Sequence, residues 1–78
     1  MDIVKVWSDD WTGYYVDGKL LIEGHSVDGY QLLGALVDRH LISVSSVLSR
    51  EADAKWMEYN GTLPNDLSKV KTAKSNQK

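Results

Sequence analysis

The dipeptide Asp17-Gly18 constrains this chain more than any other feature. It separates two β-prone runs, Trp11–Val16 and Lys19–Glu23. Both of its residues tolerate the positive φ that a two-residue hairpin turn requires. With that turn, Val16 pairs with Lys19, Tyr15 with Leu20, Tyr14 with Leu21 and Gly13 with Ile22. One face then carries Trp11, Gly13, Tyr15, Leu20, Ile22 and Gly24, and is apolar enough to be the core. The other carries Thr12, Tyr14, Val16, Lys19, Leu21 and Glu23, a mixture of large apolar groups and charge typical of interfaces and ligand platforms. A three-residue turn with a bulge would shift the pairing by one and exchange these partners. In either register the hairpin shows more aromatic and aliphatic surface than one helix covers, which favours an oligomer.

The flanking segments complete an α+β pattern. Residues 2–8 read as a strand with Ile3, Lys5 and Trp7 on one face and Val4 and Val6 on the other; Ser8-Asp9-Asp10 is a turn. Gly24 breaks the third strand, and Ser26 is the expected N-cap of a helix over 27–40. In that helix Tyr30, Leu33, Leu36, Val37 and Leu41 share one side, with Asp28, Gln31, Asp38 and Arg39 opposite. Gly29 and Gly34 each cost a helix on the order of 1 kcal/mol against alanine, which points to close approach to the sheet or to a twin helix. Residues 42–48 alternate apolar groups and serine as a fourth strand would. Ser49 is the expected cap of a second helix over 50–59 that buries Ala52, Trp56 and Tyr59, and Asn60-Gly61 is its stop signal. Leu63-Pro64 and Leu67 fold back on the core. The expected architecture is a small antiparallel sheet with an N-terminal hairpin, packed by two helices in the order β-ββ-α-β-α. Residues 1–67 form one domain and 68–78 a flexible polar tail.

Seventy-eight residues bury only about 60% of the surface that the unfolded chain exposes, so the core alone gives a thin margin. There is no cysteine, and two histidines fifteen positions apart do not make a zinc site. No metal or cofactor is expected, and self-association remains as the route to extra stability. Nine basic against eleven acidic residues leave a net charge of −2, which argues against wrapping a nucleic-acid duplex. No apolar run approaches the roughly 18 residues of a membrane span, and no stretch resembles a signal peptide, so a cytoplasmic location is expected.

Two constellations carry candidate chemistry. Glu23, His25 and Ser26 resemble an acid–base–nucleophile set, but neighbours in an extended chain point apart where a triad must converge, so catalysis is not expected. The bland account is a strand end, a turn and a helix cap. Gly24-His25-Ser26 at a helix start has a second meaning: free backbone N–H groups and the positive end of the helix dipole favour a phosphate. An aromatic left exposed on the hairpin, Trp11 or Tyr14, would stack a base, worth around 1–3 kcal/mol. Lys19 and Arg39 are ordinary surface charges unless a phosphate meets them.

The run from Trp11 to Ser26 fits the pattern W-x-G-x-Y-V-D-G-K-L-x-x-E-G-H-S, and Trp56 with Gly61, Leu63, Pro64 and Leu67 fits a tryptophan helix followed by G-x-L-P-x-x-L. Over about residues 3–70 the chain therefore resembles a group of very short bacteriophage proteins. That group is similar to the phage nucleotide sponges of the anti-CBASS type, fourth family. The resemblance implies a non-catalytic homo-oligomer, dimer or tetramer, that sequesters a cyclic di- or trinucleotide immune signal in the cytoplasm of the infected bacterial host. Its ligand contacts on this chain would be Trp11, Tyr14, Tyr15, Lys19, Gly24, His25, Ser26 and Arg39. The alternative is an inhibitor that docks the amphipathic hairpin face on a host enzyme; a small hydrolase acting on the same signals is the weakest possibility.

Overall fold

Strong β-formers at both ends of Asp17-Gly18 do close a tight hairpin. In the computed structural model, which describes residues 1–25, 27–39, 43–44 and 46–73, β2 (Trp11–Val16) and β3 (Lys19–Gly24) are antiparallel. Asp17 and Gly18 both take positive φ, 49° and 85°. Val16 pairs with Lys19 and Tyr15 with Leu20 as expected, and then the ladder slips. A bulge at Leu21 pairs Tyr14 with Ile22 and Gly13 with Glu23. The extra residue reverses the facing of everything beyond it. Leu21 and Ile22 both join Tyr14, while Glu23 moves to the side of Trp11.

β1 (Asp2–Ser8) adds to β2 antiparallel, and β4 (Ser46–Glu51) adds to β1 parallel, giving the sheet order β3-β2-β1-β4. The element order is the expected β-ββ-α-β-α. The sheet, however, is mixed and not antiparallel. A long connection through a helix can bring the chain back in either direction, which a tight turn cannot. β4 also begins four residues later than the alternating serines indicate. Ser49 and Arg50 are strand residues paired with Lys5 and Val6, so Ser49 caps nothing. The second helix, α2 (Ala54–Asn60), is capped by Asp53, whose carboxylate accepts from the Trp56 N–H at 3.0 Å. It ends at Gly61 with φ 79°, the stop read from Asn60-Gly61.

The first helix, α1 (Gly29–Asp38), is also shorter than expected. Its N-cap is Asp28, not Ser26. Asp28 and Gln31 form a reciprocal capping box: each side chain accepts from the other's backbone N–H, at 3.0 and 3.1 Å. Ser26, His40, Leu41 and Ile42 lie outside the described residues.

Both faces of the sheet are covered. Val4, Val6 and Tyr15 pack with Ala52, Met57 and Leu63 on the α2 side. Ile3, Tyr14 and Val16 pack with Leu36 on the α1 side, together with Leu32 and Val27. The expected inward stripe of α1 is therefore split: Leu36 is buried, but Tyr30, Leu33 and Val37 face outward. Leu32 and Leu36, one turn apart, do the packing instead. Trp56 is half-buried and Tyr59 is exposed.

Leu63 and Leu67 fold back as expected, but ordered pairing does not stop at 67. Leu67 donates to Gly18 O, Leu20 to Asn65 O, Asp53 to Lys71 O and Ala73 to Glu51 O, all at 2.8–2.9 Å. Residues 68–73 thus run as part of the domain; residues 74–78 lie outside those described. Asp66 caps the short turn Leu67–Lys69 and meets Lys19 at 3.4 Å.

These caps predict an acid response. The Trp56 N–H holds the Asp53 carboxyl below its ordinary value of 3.8, and the Ser68 hydroxyl and N–H do the same for Asp66. A carboxyl depressed in the folded state stabilises it above the unfolded value, and that contribution is lost as pH falls through the depressed one. The urea midpoint should therefore fall between pH 5 and pH 3, and Asp53→Asn, which keeps the cap but not the charge, should flatten part of the fall. An Asp53→Asn profile identical to that of the parent would overturn the assignment.

Candidate functional site

Burial removes two of the expected ligand contacts. Tyr15 is fully buried on the α2 side, its hydroxyl donating to Pro64 O, and Tyr14 is buried beneath α1. Neither ring is free to stack on a base. A chain without phenylalanine fills its interior with tyrosine, and the two neighbours, pointing to opposite faces of β2, serve the two cores. Burial of the Tyr15 hydroxyl pushes its pKa up to about 12, with the Glu23 and Asp66 charges adding to the effect. The same coverage removes the hairpin face as a docking surface.

Among the described residues, Gly24 and His25 do not form the expected phosphate cradle at a helix start; Ser26 lies outside them. Gly24 closes β3, paired with Thr12, and α1 starts only at Gly29. The helix N-terminus is occupied by the Asp28 carboxylate, so its free N–H groups already have an anion. Lys19 is at the turn end of the hairpin and pairs with Asp66. It stands five residues from Trp11 along the strands, roughly 17 Å away. Arg39 is exposed at the C-cap of α1.

What does come together is Trp11, Gly24 and His25. The Trp11 and His25 rings meet edge to face, 4.8 Å between centroids and 79° between planes. His25 Nδ1 lies 3.5 Å from Asp10 Oδ2. Trp11 Nε1 donates to Glu23 Oε1 at 2.9 Å, and the same oxygen accepts the Leu63 N–H at 2.8 Å. Glu23 is thus a structural clasp between the hairpin and the chain after α2, not an acid poised beside His25. The bulge at Leu21 creates it, and nothing in the local sequence announces it.

Trp11 and His25 line a cleft of about 350 Å³ with Asp9, Asp10, Met57 and Glu58. Among the described residues, three carboxylates and no lysine or arginine line it. Such a rim attracts cations and donor-rich groups and repels a phosphate. The acidic residues were legible only as a turn and a helix surface, because α2 must dock against the 8–10 turn before they share a cleft.

A second recess of about 310 Å³ has the opposite character. Trp56, Asn60, Thr62, Leu63, Pro64 and Lys69 line it. Among the described residues it joins one half-buried indole, an amide, a hydroxyl and an exposed lysine, with no carboxylate. Trp56 read as core and Lys69 as tail; the fold-back of residues 61–70 is what joins them.

Among the described residues no three His, Asp or Glu side chains are placed to share a metal ion, and no helix is long and apolar enough to cross a membrane. Compared with family models, with curated proteins and with solved structures, this chain has no match.

Proposed function

We propose that this protein binds a cyclic oligonucleotide and holds it without cleaving it. The observation that carries this function is the Trp56–Lys69 recess, where an aromatic face, hydrogen-bonding groups and a cation share one cavity. An indole gives any base a stacking surface, Asn60 and Thr62 can meet a base edge or a ribose, and Lys69 can meet a phosphate. The site therefore differs from the hairpin and helix-start residues that the sequence favours. The acidic cleft beside Trp11 and His25 is a poor phosphate site for the reason of charge given above.

The test is a thermal-shift panel of cyclic mono-, di- and trinucleotides on the intact chain. A ligand at about 100 times its Kd adds roughly 2.7 kcal/mol, which raises Tm by well over 5 °C in a domain this small. One class of cyclic nucleotide should give that shift and be recovered intact, and Lys69→Ala should weaken binding about tenfold or more. No shift across the panel, or a shift that Lys69→Ala leaves unchanged, would sink the proposal. A protein-inhibitor role is the second reading, favoured by the exposed apolar face of α1; it stands if the panel is silent and a host enzyme binds the parent but not Leu33→Glu.

A further inference from the structure

Asn60-Gly61 stops α2, and the same dipeptide is chemically reactive. An asparagine amide loses ammonia when the backbone nitrogen of the next residue attacks its Cγ, and glycine, with no Cβ, leaves that nitrogen unhindered. Of the asparagines in this chain, Asn60 is the only one followed by glycine. Both residues are exposed, and a Cβ added at Gly61 would meet nothing within 4 Å, so no neighbour keeps solvent away or holds the backbone still. Two bonds oppose the attack. The Gly61 N–H donates to Met57 O at 2.8 Å, and Asn60 Nδ2 donates to Trp56 O at 2.8 Å. The first occupies the nucleophile, and the second turns the amide back along the helix, away from it. Both belong to the final turn of a helix of seven residues, too short to persist without its packing. Leu63, buried and bound through its N–H to Glu23, anchors the chain just beyond. The turn can therefore open while the rest of the domain stays folded.

We infer that Asn60 is a site of spontaneous deamidation, gated by the last turn of α2. When the turn opens, the Gly61 N–H gives its proton to solvent base and the nitrogen bonds to Asn60 Cγ. The Cγ–Nδ2 bond breaks, the side-chain nitrogen leaves as ammonia, and a succinimide ring closes. Water then opens the ring at either carbonyl to leave aspartate or isoaspartate. The sum is amide and water to acid and ammonia, with no change of oxidation state. The product cannot remake the closed turn, because a carboxylate has no N–H for Trp56 O and its charge sits at the negative end of the helix. Isoaspartate also lengthens the backbone at the helix stop. Asn60 lines the Trp56–Lys69 recess, where among the described residues Lys69 is the only charged group. The acid thus places a negative charge on a wall that would face a phosphate, a consequence that rests on the nucleotide reading, whereas the modification does not.

Peptide mapping by mass spectrometry tests this on the full chain held at mildly alkaline pH, folded and in urea. Acid should replace amide at Asn60, and part of it should be isoaspartate, which direct hydrolysis of the side chain does not give. With two hydrogen bonds to break first, the folded chain should react about ten to a hundred times more slowly than the unfolded one. Asp53→Ala removes the cap at the other end of this short helix and should speed the folded reaction about fivefold. Modification confined to other asparagines, or no isoaspartate at Asn60 in urea, overturns the site. Equal rates in the folded and unfolded parent overturn the gate, and so does a folded Asp53→Ala variant that reacts no faster; if that variant does not fold, the parent's two rates decide alone. None of these outcomes involves a ligand, so failure here and failure of the nucleotide proposal are read separately.

Discussion

Tyr15→Ala is expected to leave the chain unfolded at 25 °C in dilute buffer. The ring is fully enclosed by Val4, Val6, Met57 and Leu63, and truncating a buried aromatic costs about 3–5 kcal/mol. A domain of this length holds only some 5 kcal/mol at the lower end of the usual range. Tyr15→Phe isolates the hydroxyl. It leaves the Pro64 carbonyl without its donor, a loss of about 1–2 kcal/mol, and the fold survives. The same hydroxyl makes the parent sensitive to alkali. With the folded pKa at about 12 and the unfolded one near 10, the folded state holds a proton that the unfolded state releases. Stability is then complete below about pH 10 and declines as pH rises toward 12, and Tyr15→Phe should lack that part of the decline. Urea titrations followed by tryptophan fluorescence check all three. A Tyr15→Ala variant with the parent's midpoint would show that the residue is not core at all.

Glu23→Ala should be the next most damaging change, about 2–4 kcal/mol. One oxygen accepts both the Trp11 indole N–H and the Leu63 backbone N–H. Bonds to a charged acceptor are worth about 1.5–3 kcal/mol each, and removing the acceptor strands two part-buried donors. Glu23→Gln keeps an oxygen in place and should cost less than half as much. That contrast separates a clasp from an acid: a catalytic carboxyl would lose its function in the glutamine variant with little change in stability. Equal destabilisation by alanine and glutamine would mean that the two donors do not depend on this oxygen.

The two substitutions also mark where sequence reading stopped. Trp11, Tyr14, Tyr15 and Glu23 were all visible as hairpin residues, but the face that Glu23 takes depended on one bulge. Leu20, Leu21 and Ile22 are equally apolar, so no local signal says which of them is the extra residue; packing against α1 and against Leu63 decides it. The same degeneracy hides the inward side of α1. Leu32 and Leu36 compete with Leu33 and Val37 on nearly equal terms, and the core needs only one pair.

What the sequence by itself determined was local. The Asp17-Gly18 turn, the first two pairs of the hairpin, the stop at Gly61, the order of elements and the fold-back of Leu63 and Leu67 all follow from chemistry within a few residues or from plain hydrophobicity. Tertiary structure alone decided the parallel pairing of β4, the transfer of Arg50 and Glu51 from helix to strand, the replacement of Ser26 and Ser49 as caps by Asp28 and Asp53, and the burial of both hairpin tyrosines. It also decided which side chains share a cavity: Trp56 with Lys69, and Trp11 with His25 among carboxylates. Backbone turns and stops are set by torsional preferences and capping bonds that act over three or four residues. Faces, partners and cavities are set by which whole surfaces leave water together, and that sum runs over contacts far apart in the chain, such as the 49 positions between Tyr15 and Pro64.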